Sequence, residues 1–382
     1  MLNPSADKLG TETAFGVLAR AGVLAAQGND IINLGIGQPD FRTPEHIVEA
    51  GIRALLDGAH GYTPSMGLPA LREAVATDIH QRYGNEPDVN NIQIVPGGKP
   101  ILFTAMMLLG GPEHEILTPD PGFPIYQSAI NYSGARSISY GLIEKNGFAF
   151  DAEEVLSKIT DRTSLVIVNS PANPTGVVYS FETLKKISRV LSKHPNIWIL
   201  SDDIYEKLNL SSEKNTNIVS LSKTLKKRSL VVNGFSKGYC MTGWRLGYGA
   251  GPKILIDAMK KIQSQSTSAA NTIAQNAAIK ALQLDEYYFE HLKKSLVKRR
   301  EIVTSALSDL QGFGFNFSQG AFYLFPSIKK YLGKRIKGKD VIIDDKSFCL
   351  QLLSSEHVAL VPGSSFGSRD SVRISYALTE KD

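Results

Sequence analysis

The sequence has little cysteine and no long apolar run. Its 382 residues include two cysteines, Cys240 and Cys349, too few for a disulfide framework or a cysteine-rich metal site. No stretch is apolar over the roughly 18 residues that a membrane-spanning helix needs, and residues 1–10 lack the basic-then-apolar pattern of a secretory signal. We therefore expect a protein of the reducing cytoplasm that has no membrane partner.

A large excess of charge of one sign is also missing. The net charge of +5, from 42 Lys and Arg against 37 Asp and Glu, is modest for this length. Basic residues cluster at 223–228 and 329–339, but surface lysine clusters are usually solvated faces rather than nucleic-acid sites. An anionic small molecule is therefore a better candidate partner than a nucleic acid.

The length and the pattern of apolar residues predict the fold class. A chain of 382 residues suggests two domains. Its middle alternates short apolar runs with helical stretches, which is typical of an α/β fold with a mostly parallel central sheet and helices on both faces. Predicted strands lie at 115–117, 165–168, 197–200 and 229–232, and predicted helices at 47–56, 68–82, 181–191 and 272–282.

A longer helix is predicted at about 287–310. Its apolar stripe consists of Leu292, Leu296, Ile302 and Val303. We expect this helix to connect to a smaller α+β domain that contains a strand at 321–325.

Three of the predicted strands run directly into polar segments. The strand at 165–168 leads to Asn-Ser-Pro-Ala-Asn-Pro-Thr-Gly, the next to Ser-Asp-Asp-Ile-Tyr, and the third to Asn-Gly-Phe-Ser-Lys. In an open parallel sheet the ligand crevice lies beyond the carboxyl ends of the strands. The amide of Asn173, the carboxylate of Asp202 and the amine of Lys237 are therefore expected to project toward one place.

The segment around Lys237 has the residues of a nucleophile beside a phosphate. A lysine in a cleft near another cation can have a lowered pKa and act as an amine nucleophile, whereas most lysines are simply solvated. Here Ser236, Gly238 and Thr242 form a polar loop, and Arg245 follows with a planar fork suited to a phosphate. The loop therefore favours the interpretation of Lys237 as a nucleophile beside a bound phosphate over that of a solvated lysine.

Two further segments are candidates for ligand contacts. Gly97-Gly98-Lys99-Pro100 precedes a predicted helix at 101–109, where backbone N–H groups and the helix dipole favour an anion. Asp202 and Asp203 could be a metal pair, a helix cap or half of a cofactor clamp. No histidine or further carboxylate stands at metal-ligand spacing, so no metal is expected. An aspartate beneath a pyridinium nitrogen would strengthen such a ring as an electron sink.

Taken together, these motifs resemble those of the class I aminotransferases of pyridoxal-phosphate (PLP) fold type I, and most of all their bacterial aspartate-aminotransferase-like branch. The resemblance spans nearly the whole chain. It is carried, in this order, by Asn-Leu-Gly-Ile-Gly-Gln-Pro-Asp at 33–40, Asn-Pro-Thr-Gly at 173–176, Ser-Lys at 236–237, Gly-Trp-Arg at 243–245 and Arg-Ile-Ser-Tyr-Ala at 373–377.

The resemblance implies roles for the residues that would act on the cofactor ring. Lys237 would carry PLP as a Schiff base and later move a proton between the substrate and the cofactor. Asp202 would pair with the pyridine nitrogen, while Asn173 and Tyr205 would contact the phenolic oxygen. Phe123, in Pro-Gly-Phe-Pro-Ile-Tyr, would stack on the ring.

The resemblance also implies how the phosphate and the substrate are bound. The phosphate would be held by Gly98, the backbone of Lys99, Ser236 and Arg245. Arg373 would bind the substrate α-carboxylate, aided by the backbone of Gly37, with Asn173 and the Lys99 side chain also contacting the substrate. Tyr62 is similar to a tyrosine that reaches the phosphate of a neighbouring subunit, which implies a homodimer with shared active sites.

The resemblance implies a large PLP-binding domain at 43–285 and a small domain built from 1–42 and 286–382. The implied reaction moves an amino group from an L-amino acid to a 2-oxo acid. One alternative keeps the fold and changes the reaction, to a C–S lyase or another PLP enzyme, because a fold does not determine its chemistry. An alternative from another class is a non-catalytic, ligand-sensing aminotransferase-like domain.

Two positions depart from the pattern of the aspartate-specific relatives. Glu12-Thr13-Ala14 stands where a Ser-Ala-Thr stretch is often found, and Phe123 stands where many of those relatives have tryptophan. A glutamate that faces a second substrate carboxylate would repel it. We therefore hypothesise a preference for aromatic or basic amino acids; the alternative is that Glu12 points into solvent.

Overall fold

A computed structural model of the chain describes residues 4–10, 14–84, 87–142, 144, 147–213, 215–315, 317–335 and 340–379. Its strands are β1 (Ile32–Asn33), β2 (Ile92–Val95), β3 (Glu115–Asp120), β4 (Arg136–Gly141), β5 (Thr163–Asn169), β6 (Trp198–Asp202), β7 (Ser229–Gly234), β8 (Gly247–Ala250), β9 (Tyr323–Leu324), β10 (Val358–Ala359), β11 (Val361–Pro362) and β12 (Val372–Ser375). Its α-helices are α1 (Ala14–Ala26), α2 (Glu45–Leu56), α3 (Pro69–Tyr83), α4 (Lys99–Leu109), α5 (Pro124–Ser133), α6 (Ala152–Ser157), α7 (Phe181–Leu191), α8 (Lys223–Lys226), α9 (Lys253–Ser266), α10 (Thr272–Ala281), α11 (Glu286–Asp309) and α12 (Asp345–Glu356).

The largest sheet confirms the predicted α/β class. Its strand order is β2-β8-β7-β6-β5-β3-β4, and β8 is antiparallel to both of its neighbours while the other pairs are parallel. Each of the four predicted strands overlaps an observed one, and the observed strands extend further at their carboxyl ends.

Helices cover both faces of this sheet, because successive side chains of a strand point to opposite sides. Along β5, Leu165 and Ile167 pack into one apolar cluster with residues of α4, α5 and α9. The alternate residues Val166 and Val168 pack into a second cluster with residues of α6 and α7. This double burial explains why the strand appears in the sequence as a continuous apolar run.

Residues from near both ends of the chain share the two-stranded sheet, whereas the three-stranded sheet is built from the carboxyl-terminal part alone. Strand β1 pairs with β10 in parallel, and β12 pairs with β11 and β9 in antiparallel fashion. This pairing brings Leu34 and its neighbours beside the strand that carries Arg373. The boundaries of the two domains, at 42/43 and 285/286, stay a prediction.

Side-chain caps account for several helix starts. The Ser180 hydroxyl accepts from the Thr183 N–H at the start of α7, and the Asp285 carboxylate accepts from the Tyr288 N–H at the start of α11. The predicted stripe of α11 is wrong at one position, because Ile302 is 51% exposed whereas Leu292 and Leu296 are buried. Helical spacing from Leu296 leads to residues 299, 300 and 303, so Ile302 lies off the stripe.

Candidate functional site

A cavity of about 330 Å³ lies at the carboxyl ends of β5, β6 and β7. Every residue proposed from the sequence as a site residue lines it, with the exception of Tyr62. The register of the sheet accounts for part of this convergence, because Asn169 pairs with Asp202 and Asp202 pairs with Val232 in one row across three strands. All three residues line the cavity.

Asp202 is a buried carboxylate with defined partners. Its Oδ2 accepts a hydrogen bond of 2.6 Å from the Tyr126 hydroxyl. Burial raises the pKa of Asp202 to about 6, although the hydrogen bond from Tyr126 acts in the opposite direction. The Asn169 side chain donates to the Asp202 carbonyl at 2.9 Å and accepts from the Asn173 N–H at 3.1 Å. A carboxylate held in this way can pair with a cationic N–H group of a bound ring.

The Lys237 amine enters the cavity from the loop after β7. Its Nζ donates to the carbonyl oxygen of Gly37 and lies 5.8 Å from the ring centroids of both Tyr205 and Phe322. The amine therefore stands between the Gly37 backbone and the aromatic wall of the cavity.

One end of the cavity has the groups of an anion site. Gly98 precedes α4, whose first N–H groups have no intrahelical partner. Gly97 adopts a left-handed φ of +79°, and a β-carbon there would collide with the guanidinium of Arg245. Arg245 itself has a φ of 55° and donates to the Thr242 carbonyl at 2.9 Å, while the buried Ser236 also lines the cavity.

At another side, Arg373 presents a buried guanidinium. Its Nη1 donates to Asn173 Oδ1 at 3.1 Å and its Nη2 to the Gly35 carbonyl at 2.9 Å. The guanidinium carbon lies 4.5 Å from the ring centroid of Tyr323 and 4.9 Å from that of Phe366. Within the described part of the chain the Nε atom is buried with no hydrogen-bond partner, so the group is suited to a carboxylate.

The wall opposite these polar groups is mixed in character. Lys99 Nζ lies 5.5 Å from the ring centroid of Phe123. Leu18 from α1 and Leu102 from α4 line the same cavity. The cavity can therefore accept both a second anionic group and apolar atoms.

One sequence-derived candidate, Tyr62, does not line this cavity. Tyr62 is 97% exposed and lies beside a separate surface depression formed with residues 267 and 269–273. Glu12 and Thr13 lie outside the described residues, and so does the side chain of Ala14.

Sequence reasoning gave no role to Tyr126, Asn169 and Tyr323, all of which line the cavity. Tyr126 ends the Pro-Gly-Phe-Pro-Ile-Tyr motif and Asn169 ends a strand next to the Asp202 strand, so both positions carried a signal. Tyr323 lies within a short apolar run, where nothing distinguishes it from a core residue.

Among the described residues, no group of three or more His, Cys, Asp or Glu side chains is arranged to hold a metal ion. A helix both long and apolar enough to cross a membrane is likewise missing from the described ranges.

Comparison with known proteins gives consistent relatives. A profile of the family described as aminotransferase class I and II matches residues 29–382. The chain is 40% identical over 365 residues to a probable aspartate/prephenate aminotransferase of Rhizobium leguminosarum bv. phaseoli, covering 96% of this chain and 91% of that one. It is 39% identical over 376 residues to an aspartate aminotransferase of Geobacillus stearothermophilus, covering 98% of this chain and 92% of the relative.

Solved structures give the same result. An aspartate aminotransferase of Rhizobium meliloti superposes with a TM-score of 0.94 at 36% identity, covering 100% of this chain and 95% of that one. An aspartate aminotransferase of Thermus thermophilus, solved with maleate, superposes with a TM-score of 0.92 at 33% identity, covering 100% and 96% of the two chains.

Proposed function

We propose a mechanism for this site. The chain belongs to the class I and II aminotransferases and is a pyridoxal-phosphate-dependent transaminase. Such an enzyme moves an amino group between an amino acid and a 2-oxo acid. In the proposed arrangement, Lys237 is the residue that bonds to the cofactor, Asp202 pairs with its ring nitrogen, and Arg373 binds the substrate α-carboxylate. The observation that carries this assignment is that all three side chains line one cavity.

The polar and charged residues of the cavity fit the charges of PLP. Among the described residues, no cation acts on the pKa of the buried Asp202 carboxylate, which burial raises to about 6, and a pyridinium nitrogen would supply a cationic partner. The start of α4 after Gly98, together with Ser236 and Arg245, forms a donor set suited to the phosphate. Tyr205 and Asn173 would contact the phenolic oxygen, and Phe123 would cover the ring.

When bound, the cofactor supplies the electron sink for bonds broken at the substrate α-carbon. Lys237 Nζ would accept the proton from the substrate α-carbon and deliver it to C4′ of the cofactor. Arg373 orients the substrate by its carboxylate, with Asn173 holding the guanidinium in place. An ionised Asp202 would favour the protonated form of the ring nitrogen, which withdraws electrons more strongly.

The visible spectrum of the purified protein tests this assignment. We expect an absorption band of the bound cofactor that is lost when a suitable amino acid is added without a 2-oxo acid, and that returns when a 2-oxo acid follows. Lys237→Ala should abolish this response. Release of ammonia and a 2-oxo acid from a cysteine conjugate, without an acceptor, would favour a C–S lyase instead. A band that no amino acid changes would favour a ligand sensor.

For the amino donor, we propose an amino acid with a second carboxylate. Lys99 and Arg373 are two cations in one cavity, which suits two carboxylates on one substrate. Relatives named aspartate aminotransferases and the Thermus thermophilus structure with maleate, a dicarboxylate, support this proposal. The apolar residues Leu18 and Leu102 instead favour an aromatic donor. The hypothesis that Glu12 favours aromatic or basic amino acids stays a prediction.

A donor panel separates these possibilities. Lys99→Met should lower kcat/KM for aspartate by about 10- to 100-fold relative to phenylalanine, because the second carboxylate of aspartate loses its ionic partner. Unchanged selectivity would contradict the dicarboxylate proposal. Glu12→Thr is the matched variant for the other hypothesis, and an unchanged ranking of aspartate, phenylalanine and lysine would contradict it.

The exposed Tyr62 would complete the phosphate site of a second subunit, so the proposed enzyme is a homodimer. Complementation tests this directly. Lys237→Ala and Tyr62→Ala chains are each expected to be impaired, but a mixed dimer has one site with Lys237 from one chain and Tyr62 from the other. Co-expression should therefore restore activity, whereas no restoration would contradict the shared site.

A cytoplasmic location is supported by the cysteines, since Cys240 and Cys349 are both free and buried. Fractionation of the native host, with the enzyme followed by antibody, should recover it in the soluble cytoplasmic fraction.

A further inference from the structure

Tyr323 contacts two residues of the site, Tyr205 and Arg373, to which the sequence motifs assign separate roles. Its hydroxyl lies 2.8 Å from the Tyr205 hydroxyl, and both side chains are buried. The Tyr323 ring packs against the guanidinium of Arg373 at 4.5 Å. A β-carbon on Gly37 would lie 2.7 Å from the Tyr323 hydroxyl, so this hydroxyl packs directly against the Gly37 backbone.

The position of Tyr323 follows from strand pairing. Strand β9 pairs with β12 so that Tyr323 stands opposite Ser375 and diagonal to Arg373. Arg373 and Ser375 are two residues apart and therefore share a face of the sheet. The Tyr323 ring is thus held beneath Arg373 while its hydroxyl reaches Tyr205.

The two hydroxyls have one proton each, and this restricts what they can do. In the pair, one hydroxyl donates and the other accepts. If the Tyr205 proton points at Tyr323, it cannot also be donated to the cofactor oxygen. When Tyr205 donates to the cofactor, Tyr323 must be the donor within the pair, and a hydroxyl that accepts one hydrogen bond donates the next one more strongly.

We propose that Tyr323 is a positioning residue of the transamination site, whose hydroxyl donates to Tyr205 and so directs the Tyr205 proton at the phenolic oxygen of the cofactor. The inference rests on the proposed function. The charged groups that face the pair are Arg373 next to Tyr323, Lys237 at 5.8 Å from the Tyr205 ring, and Asp202.

The pH titration of the visible band tests the proposal without measuring turnover. A donor at the phenolic oxygen disperses its negative charge and makes protonation of the neighbouring Lys237 nitrogen less favourable. Tyr205→Phe should therefore raise the midpoint of the titration. Tyr323→Phe should raise it by a smaller amount, roughly 0.3 to 1 pH unit, the size of one ordinary hydrogen bond. The double variant should match Tyr205→Phe alone, because Tyr323 acts through Tyr205.

Substrate binding supplies an independent readout. Tyr323→Phe keeps the ring beneath Arg373, so the dissociation constant of a carboxylate inhibitor should change by less than about threefold. Replacing Tyr323 by 3-fluorotyrosine strengthens the donor without altering the packing, so it should move the midpoint downward. This second variant keeps the test decisive if Tyr323→Phe folds poorly.

Tyr376→Phe is the matched control. Tyr376 is also a buried tyrosine near β12, but its hydroxyl lies 3.1 Å from Ser318 Oγ rather than near Tyr205. Its titration midpoint should equal that of the wild type. A wild-type midpoint in Tyr323→Phe, or shifts that add in the double variant, would overturn the role of Tyr323 and leave the proposed function intact. Absence of any visible band in the wild type would overturn both.

Discussion

The Tyr126 hydroxyl donates a 2.6 Å hydrogen bond to Asp202 Oδ2, and both side chains are buried. This bond holds the pKa of Asp202 lower than burial alone would set it. Tyr126→Phe should therefore raise the pKa of Asp202 above about 6. Cofactor affinity should fall about three- to tenfold near neutral pH, because a protonated aspartate cannot pair with the ring nitrogen.

Equilibrium titration with PLP at several pH values checks this prediction. The loss of affinity should be larger at acidic pH than at alkaline pH. Tyr132→Phe removes a hydroxyl from the same helix outside the cavity and serves as the control. An equal loss of PLP affinity at every pH would mean that Tyr126 acts through side-chain packing rather than through the protonation state of Asp202.

Asp203 provides a prediction for stability. Burial raises its pKa from 3.8 to about 6, although Ser201 and Asn217 donate hydrogen bonds to it. Because the folded state holds the proton more tightly, Asp203 contributes stability below about pH 4 that is lost as the pH rises through about 6. Relative to the wild type, Asp203→Asn should therefore gain about 3 kcal/mol of unfolding free energy between acidic and neutral pH.

Urea denaturation of the cofactor-free protein across this pH range measures the change. Asp257→Asn is the control, since Asp257 is an exposed carboxylate whose ion pair with Lys253 contributes little to stability. A stability difference between Asp203→Asn and wild type that does not depend on pH would contradict the prediction.

Gly97 is expected to be essential for the geometry of Arg245. Gly97→Ala places a methyl group against the Arg245 guanidinium and also strains a φ of +79°. The expected result is a loss of about 1–3 kcal/mol in stability and at least tenfold weaker PLP binding. Gly58→Ala is a matched control, because Gly58 has a φ of +82° but open space around the added methyl group.

Thermal unfolding and cofactor titration of both variants separate the effect of backbone strain from the effect of the collision with Arg245. Gly58→Ala should lose stability through backbone strain and keep its PLP affinity. Equal PLP affinities of the two variants would show that the phosphate does not depend on Arg245.

Arg373→Lys should separate substrate binding from cofactor binding. A lysine cannot donate to Asn173, Gly35 and a carboxylate in one plane as the guanidinium does. We expect about 100-fold weaker binding of the amino acid, with the visible band of the resting enzyme unchanged. Stopped-flow measurement of the spectral change against amino-acid concentration gives both quantities, and an altered resting band would contradict the separation.

Much of this architecture can be predicted from local patterns. Continuous apolar runs predict β5, β6 and β7 because strands buried on both faces have no polar side. The polar segments that follow these runs then lead to Asn173, Asp202 and Lys237, which line one cavity. Periodicity does not always identify which residues of a helix face the core. Ile302 is predicted to lie in the apolar stripe of α11, but it is exposed beside that stripe.

Contacts between segments that are distant in the sequence cannot be predicted from such local patterns. Tyr323 stands in an apolar run, and its partner Tyr205 lies 118 residues away; Arg373 and Asn173 are 200 residues apart. Periodicity and turn chemistry describe interactions within a few residues, so they predict which element a side chain belongs to. The pairing of the Tyr205 and Tyr323 hydroxyls depends on how the segments that carry them pack together, because a hydrogen bond forms only within a few tenths of an ångström of its optimal distance. The chemistry of the site is therefore largely encoded in its motifs, while the positions of the groups that orient it arise from packing.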